Sequence, residues 1–200
     1  MAISFILLIV LSFLSLTSPP GIHARETWFT YDVAIANDSL ATLTAEVNLA
    51  APPEIVYAVL TDYPNWPTLF AQRPRLNSIE RNNTHVRVDM TLTVSFLPVG
   101  LTLITDTREI PATNVVTTLV QGNFEEYDWV WALRPSQDAQ HTKATVVVHV
   151  QPTIWIPDLV LEWLLTSGLT DHFHRLRDAV QLRYREYGRT PIISAPSNPP

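Results

Sequence analysis

The sequence predicts an α+β domain in which a curved antiparallel β-sheet wraps around one long C-terminal helix, with a short helix placed after the first strands. Three observations predict it. Ala50 to Phe70 punctuates as a short helix and a proline-rich stop, the stretch from about 84 to 151 reads as successive strands, and an amphipathic segment closes the chain. A sheet curled around its last helix leaves a cavity, so the layout points to an apolar interior site.

The first segment is separate from this domain. Ile3 to Leu16 is apolar apart from serines and ends at Thr17-Ser18-Pro19-Pro20. A bilayer-spanning helix needs ~20 apolar residues, so the run has the length of a signal-peptide core instead. Export is expected, periplasmic or secreted, with cleavage after Ala24. No Lys or Arg precedes Arg25, which leaves an uncleaved membrane tether as the alternative. The expected division is a targeting segment over 1–24, a ligand-binding domain over 25–187 and a disordered tail rich in Pro, Ser and Asn over 188–200.

Within the domain, Trp28 to Ile35 and Leu40 to Leu49 read as strands, the second with Ala41, Leu43, Ala45, Val47 and Leu49 on one face. A helix then starts at Pro52 or Pro53, where a missing N–H costs nothing, with Glu54 at the positive end of its dipole. Ile55, Val56, Val59 and Leu60 form its apolar stripe, and Tyr63-Pro64 breaks it because the residue before proline leaves the α region. Thr84 to Phe96 alternates again, with Val86, Val88, Met90, Leu92, Val94 and Phe96 inward and Arg87, Asp89 and Thr91 in water. Strands at Leu101 to Ile110, Val115 to Gln121, Glu126 to Arg134 and Lys143 to Gln151 follow. The closing helix starts near Pro157 and keeps one apolar stripe through Leu169, Phe173, Leu176, Val180 and Tyr184, with Ser167-Gly168 expected to kink or divide it into a gate.

Composition excludes several classes of function. The chain has 200 residues, enough for one domain with a substantial core, and a formal net charge of −6 without a basic stripe, which argues against nucleic acid. It has no cysteine, so disulfides, thiolate chemistry and Cys-bound metals are excluded.

The short helix carries a recognisable pattern in Ala51, Pro52, Glu54, Val56, Tyr57, Leu60, Asp62, Tyr63, Trp66 and Pro67. Gly122, Phe124, Trp131 and Pro135, then Thr142 and Pro152, continue it in order along the chain. In these residues the chain resembles the START-like helix-grip superfamily, in particular its polyketide-cyclase/coenzyme-Q-binding branch. The resemblance covers about Leu40 to Tyr184. It implies a helix-grip fold and the binding of a lipid, isoprenoid quinone or polyketide-like molecule. Trp129 stands where that family often has a small residue, which bears on the size of any cavity.

The residues expected to line the site are Met90, Leu92, Val94 and Phe96 from one strand, Tyr127, Trp129 and Trp131 from another, and Val148 from the last. Trp163, Leu169, Phe173 and Val180 are expected from the closing helix. Aromatic rings with a polar tip suit the wall or mouth of an apolar pocket. Catalytic signals are sparse. His172 and His174 lie about 200° apart around a helix and cannot readily share a metal, and His149 falls on the solvent side of its strand. Asp106, Arg108 and Glu109 occupy a strand with two mixed faces, where an inward carboxylate of raised pKa would be a general base. No catalytic residue, metal or cofactor is assigned.

A non-enzymatic carrier of a hydrophobic small molecule, with a membrane contact at which the ligand is exchanged, is the leading expectation. A cyclase or dehydratase using the same cavity is the alternative, and an interaction module the third reading. An ionisable residue facing the cavity would separate the first two.

Overall fold

A computed structural model describes residues 24–36, 39–83, 85–93 and 100–189. The expected signal segment before Ala24, the tail beyond Arg189, and Val94 and Phe96 lie outside the described residues.

Among the described residues, nine antiparallel strands form one sheet. The strands are β1 (Ala24–Arg25), β2 (Phe29–Ile35), β3 (Ala41–Leu49), β4 (Arg75–Asn82), β5 (His85–Leu92), β6 (Leu101–Ile110), β7 (Asn114–Gly122), β8 (Phe124–Pro135) and β9 (Thr142–Pro152). Their spatial order is β1-β2-β3-β9-β8-β7-β6-β5-β4. Helix α1 (Pro53–Leu60) and a 3-10 helix (Tyr63–Leu69) join β3 to β4, and α2 (Asp158–Arg189) closes the chain. This is the expected α+β helix-grip architecture.

The alternation of apolar residues sets the inner face. Ala41, Leu43, Ala45, Val47 and Leu49 are buried on β3, and Val86, Val88 and Met90 on β5, while Arg87 is exposed. Leu43 faces Val148 and Val47 faces Ala144 across the β3–β9 pair, so register and pattern agree. The β5 residues pack on Tyr63 and Trp66 of the 3-10 helix rather than on α2.

Pro52 caps α1 in an extended conformation and Pro53 opens it, as the sequence indicates. The Thr142 hydroxyl donates to the Ala51 carbonyl at 2.7 Å, a buried bond that ties the start of α1 to β9. Trp66 Nε1 donates to the Leu60 carbonyl at 2.8 Å, satisfying one of the carbonyls left open at the end of α1.

The closing helix is continuous over 32 residues, contrary to the expected division at Ser167-Gly168. The Ser167 hydroxyl donates to the Trp163 carbonyl at 2.6 Å, which keeps its polar group inside the helical ladder. Leu169, Phe173, Leu176 and Val180 form the buried stripe. The helix also runs two residues past the expected domain boundary at 187. Among the described residues, no helix is long and apolar enough to cross a membrane.

Candidate functional site

A cavity of about 500 Å³ lies between the inner face of the sheet, the 3-10 helix and the N-terminal half of α2. That volume falls in the range of small-molecule sites. Of the residues the sequence pointed to, Met90, Leu92, Tyr127, Trp129, Trp131 and Val148 line it from the sheet, and Trp163 and Leu169 from α2. The bulk of Trp129 does not fill the space.

Phe173 and Val180 are placed elsewhere. Both are buried in the main core, and Phe173 packs edge-to-face on Phe29 at 5.3 Å and on Trp131 at 6.0 Å between ring centroids. The physical reason is distance along the helix axis. Each residue adds 1.5 Å, so one turn past Leu169 the stripe meets Phe29 of β2 and Trp131 of β8 at Phe173, in the core and not at the cavity.

The 3-10 helix supplies wall residues that the sequence reading passed over, Trp66, Leu69 and, just beyond it, Phe70. His172 is the other addition. Its ring stacks on Phe70 at 4.7 Å and lies 5.1 Å from the Trp129 ring. Its Nδ1–H donates to the Leu69 carbonyl at 3.0 Å. Burial pushes its pKa down to about 4, only partly offset by that hydrogen bond, so the ring is neutral at pH 7. The spacing Leu169, His172, Leu176 places it on the buried stripe, a signal that was present in the sequence. His174 turns away, with Nε2 3.2 Å from Glu26 Oε1.

The inner face also carries a row of threonines. Thr105, Thr107 and Thr117 are buried, and the Thr107 and Thr117 hydroxyls bond each other at 2.9 Å. Thr105 and Thr117 line the cavity.

The carboxylates of β6 do not reach it. Asp106 accepts from His85 Nδ1 at 2.8 Å on the outer face. Glu109 accepts from Tyr63 Oη at 2.7 Å and from both Arg81 Nη atoms at 2.7 and 3.0 Å. Burial works to raise the Glu109 carboxyl, but the bonds from Arg81 and Tyr63 outweigh it and hold its pKa below the ordinary value. The expected inward general base of raised pKa is therefore not formed, and Arg108 is exposed. Among the described lining residues, the ionisable side chains are Tyr127 and His172, and burial raises the Tyr127 phenol further from ionisation. On the outer face of β8 and β9, Glu126, Asp128 and His149 bring ligand atoms within 4.8 Å of one another, the described cluster that could hold a cation. It is half-buried and outside the cavity.

Residues 49–177 match the family described as polyketide cyclase/dehydrase and lipid transport. The chain belongs to this family. No curated protein matches it in sequence. Several solved structures share the fold. A STAR-related lipid transfer protein from Xanthomonas axonopodis aligns with TM-score 0.63 at 16% identity, covering 80% of this chain and 98% of that one. The Zhui aromatase/cyclase from Streptomyces sp. R1128 gives TM-score 0.58 at 14% identity, covering 76% and 97%. Human StAR-related lipid transfer protein 5 gives 0.59 at 10%, covering 90% and 94%. At these identities the likeness is one of fold, and family membership does not by itself separate a cyclase from a carrier.

Proposed function

We propose that the protein binds a hydrophobic small molecule, a lipid, isoprenoid or polyketide-like compound, in this cavity and carries it without transforming it. The observation that supports this reading is the lining. It is predominantly aliphatic and aromatic, with a few neutral polar side chains, and among the described residues it contains no carboxylate, amine or guanidinium. Each CH₂ of a ligand moved from water into such a wall contributes about 0.8 kcal/mol, so affinity comes from shape and apolar area.

The same reading includes a membrane contact. Trp155, Leu159 and Trp163 are 82%, 72% and 63% exposed. Leu159 and Trp163 share a face of α2 one turn apart, and Trp163 also borders the cavity. Tryptophan suits the membrane–water boundary because its ring is apolar and its N–H is polar. Exposed apolar residues beside a cavity mouth would let a ligand pass from bilayer to protein without crossing water.

A transfer assay tests both parts. The protein should accelerate movement of a pyrene-labelled lipid between neutral donor and acceptor vesicles, and Trp155→Ser with Trp163→Ser should slow it several-fold while leaving the fold intact by circular dichroism. Transfer no faster than the protein-free background would refute the carrier reading. One observation favours the cyclase alternative: His172 is an unprotonated base in the cavity wall. Its low pKa makes it a weak base at pH 7, so the carrier reading stands ahead.

A further inference from the structure

Among the described residues, the buried side-chain polar atoms without a hydrogen-bond partner are Thr105 Oγ1, Trp129 Nε1, His172 Nε2 and Arg177 Nε. All but the last belong to residues that line the cavity. Buried polar atoms are nearly always bonded, and such a concentration around one cavity needs an explanation. A ligand whose polar group completes these bonds provides one.

The chemistry of that group follows from the two neighbouring rings. An indole N–H can only donate, so Trp129 requires an acceptor. The Leu69 carbonyl can only accept, so His172 Nδ1 must carry the proton and, in the neutral ring, Nε2 can only accept. The two rings are neighbours on the cavity wall, with centroids 5.1 Å apart and planes tilted by 60°. A ketone or ether leaves His172 without a donor. An ammonium leaves Trp129 without an acceptor. A carboxylate cannot donate, and it brings a charge into a lining that contains no cation. A neutral hydroxyl both donates and accepts on a single oxygen.

We propose that the cavity selects hydrophobic molecules bearing a neutral hydroxyl, alcohol or phenol, whose O–H donates to His172 Nε2 while its oxygen accepts from Trp129 Nε1–H. Thr105 Oγ1 can donate or accept, so it adds a polar anchor on β6 without selecting between classes. This inference rests on the carrier reading and narrows it, favouring an alcohol, phenol or hydroquinone over the corresponding ketone or quinone.

Fluorescence titration of the full chain with 1-hydroxypyrene, 1-methoxypyrene and 1-methylpyrene at pH 7 tests it. The three probes share an apolar body and differ in whether they donate and accept, only accept, or do neither. Affinity ratios are compared between wild type and variants, which cancels the probes' different affinities for water. His172→Asn keeps an N–H able to reach the Leu69 carbonyl and deletes Nε2, and it should lower the hydroxy-to-methoxy ratio about tenfold, one net hydrogen bond. Trp129→Phe should lower the methoxy-to-methyl ratio several-fold. Ratios unchanged in both variants overturn the inference while leaving the carrier reading in place. Absence of binding by all three probes sinks the carrier reading as well. A measurement on wild type alone guards against variants that fail to fold: the His172 Nε2 nitrogen resonance should move upfield with bound 1-hydroxypyrene and hold with 1-methoxypyrene. An equal response to the two probes overturns the inference.

Discussion

His172 is held in the cavity wall by one bond to the Leu69 carbonyl and by stacking on Phe70, and its burial has a consequence for acid stability. Its pKa is about 4 in the folded protein against the ordinary value of 6.5. Between those values the unfolded chain binds the proton and the folded chain does not, so stability rises with pH across the window and falls on acidification. At pH 4 the loss relative to pH 7 is about 3 kcal/mol from this residue. Urea unfolding of wild type and His172→Gln at pH 7 and pH 4 reads it: the wild type should lose that much more than the variant. Equal losses would mean that His172 is not held neutral. The sequence showed this histidine on the apolar stripe, yet its pairing with Leu69 joins residues 103 apart along the chain and could not be read there. Phe173 shows the reverse case. A ring with a polar neighbour on the same stripe reads equally well as wall or core, and only its tertiary packing on Phe29 and Trp131 decides for core.

At the scale of elements, two glycines separate helix from sheet. A Cβ on Gly168 would meet nothing within 4 Å, so Gly168→Ala should gain helix propensity and stabilise the protein by about 1 kcal/mol. A Cβ on Gly122 would stand 2.3 Å from the Thr102 carbonyl oxygen, at a place where β7 bulges against β6, and Gly122→Ala should destabilise it by at least ~1 kcal/mol. Thermal unfolding of the two variants checks both signs; a destabilised Gly168→Ala would restore a break in the helix at that point. Strand β3 was legible because apolar and polar residues alternate without interruption. Strand β4 was not, because its register shifts between Leu76 and Ser78. The shift puts Leu76 opposite Met90 and Ile79 opposite Val88, on one face at a three-residue spacing that breaks the alternation of an extended strand. Asn77, the displaced residue, donates to Asp89 at 2.8 Å and to Thr91 at 3.1 Å instead of pairing.

At the scale of the whole molecule, α2 plays two parts: the stripe from Leu169 through Val180 packs into the main core, and the turns before it, with Trp163, Leu164 and Leu165, border the cavity. The α+β class and most of the strands could be read from periodicity, and so could part of the sheet-borne wall. The end of the helix that encloses the cavity could not, since it depends on tertiary closure rather than on local pattern. The same geometry leaves Trp163 at the border between cavity and solvent. Extraction of the purified full-length protein with organic solvent, followed by mass spectrometry and by re-addition of the recovered compound to stripped protein, tests the carrier claim most directly. The account predicts an apolar molecule near one per chain that rebinds saturably and is recovered unchanged after prolonged incubation. Recovery of a chemically altered product, formed by the wild type and lost in His172→Asn, would contradict it and establish the cavity as an enzyme's active site.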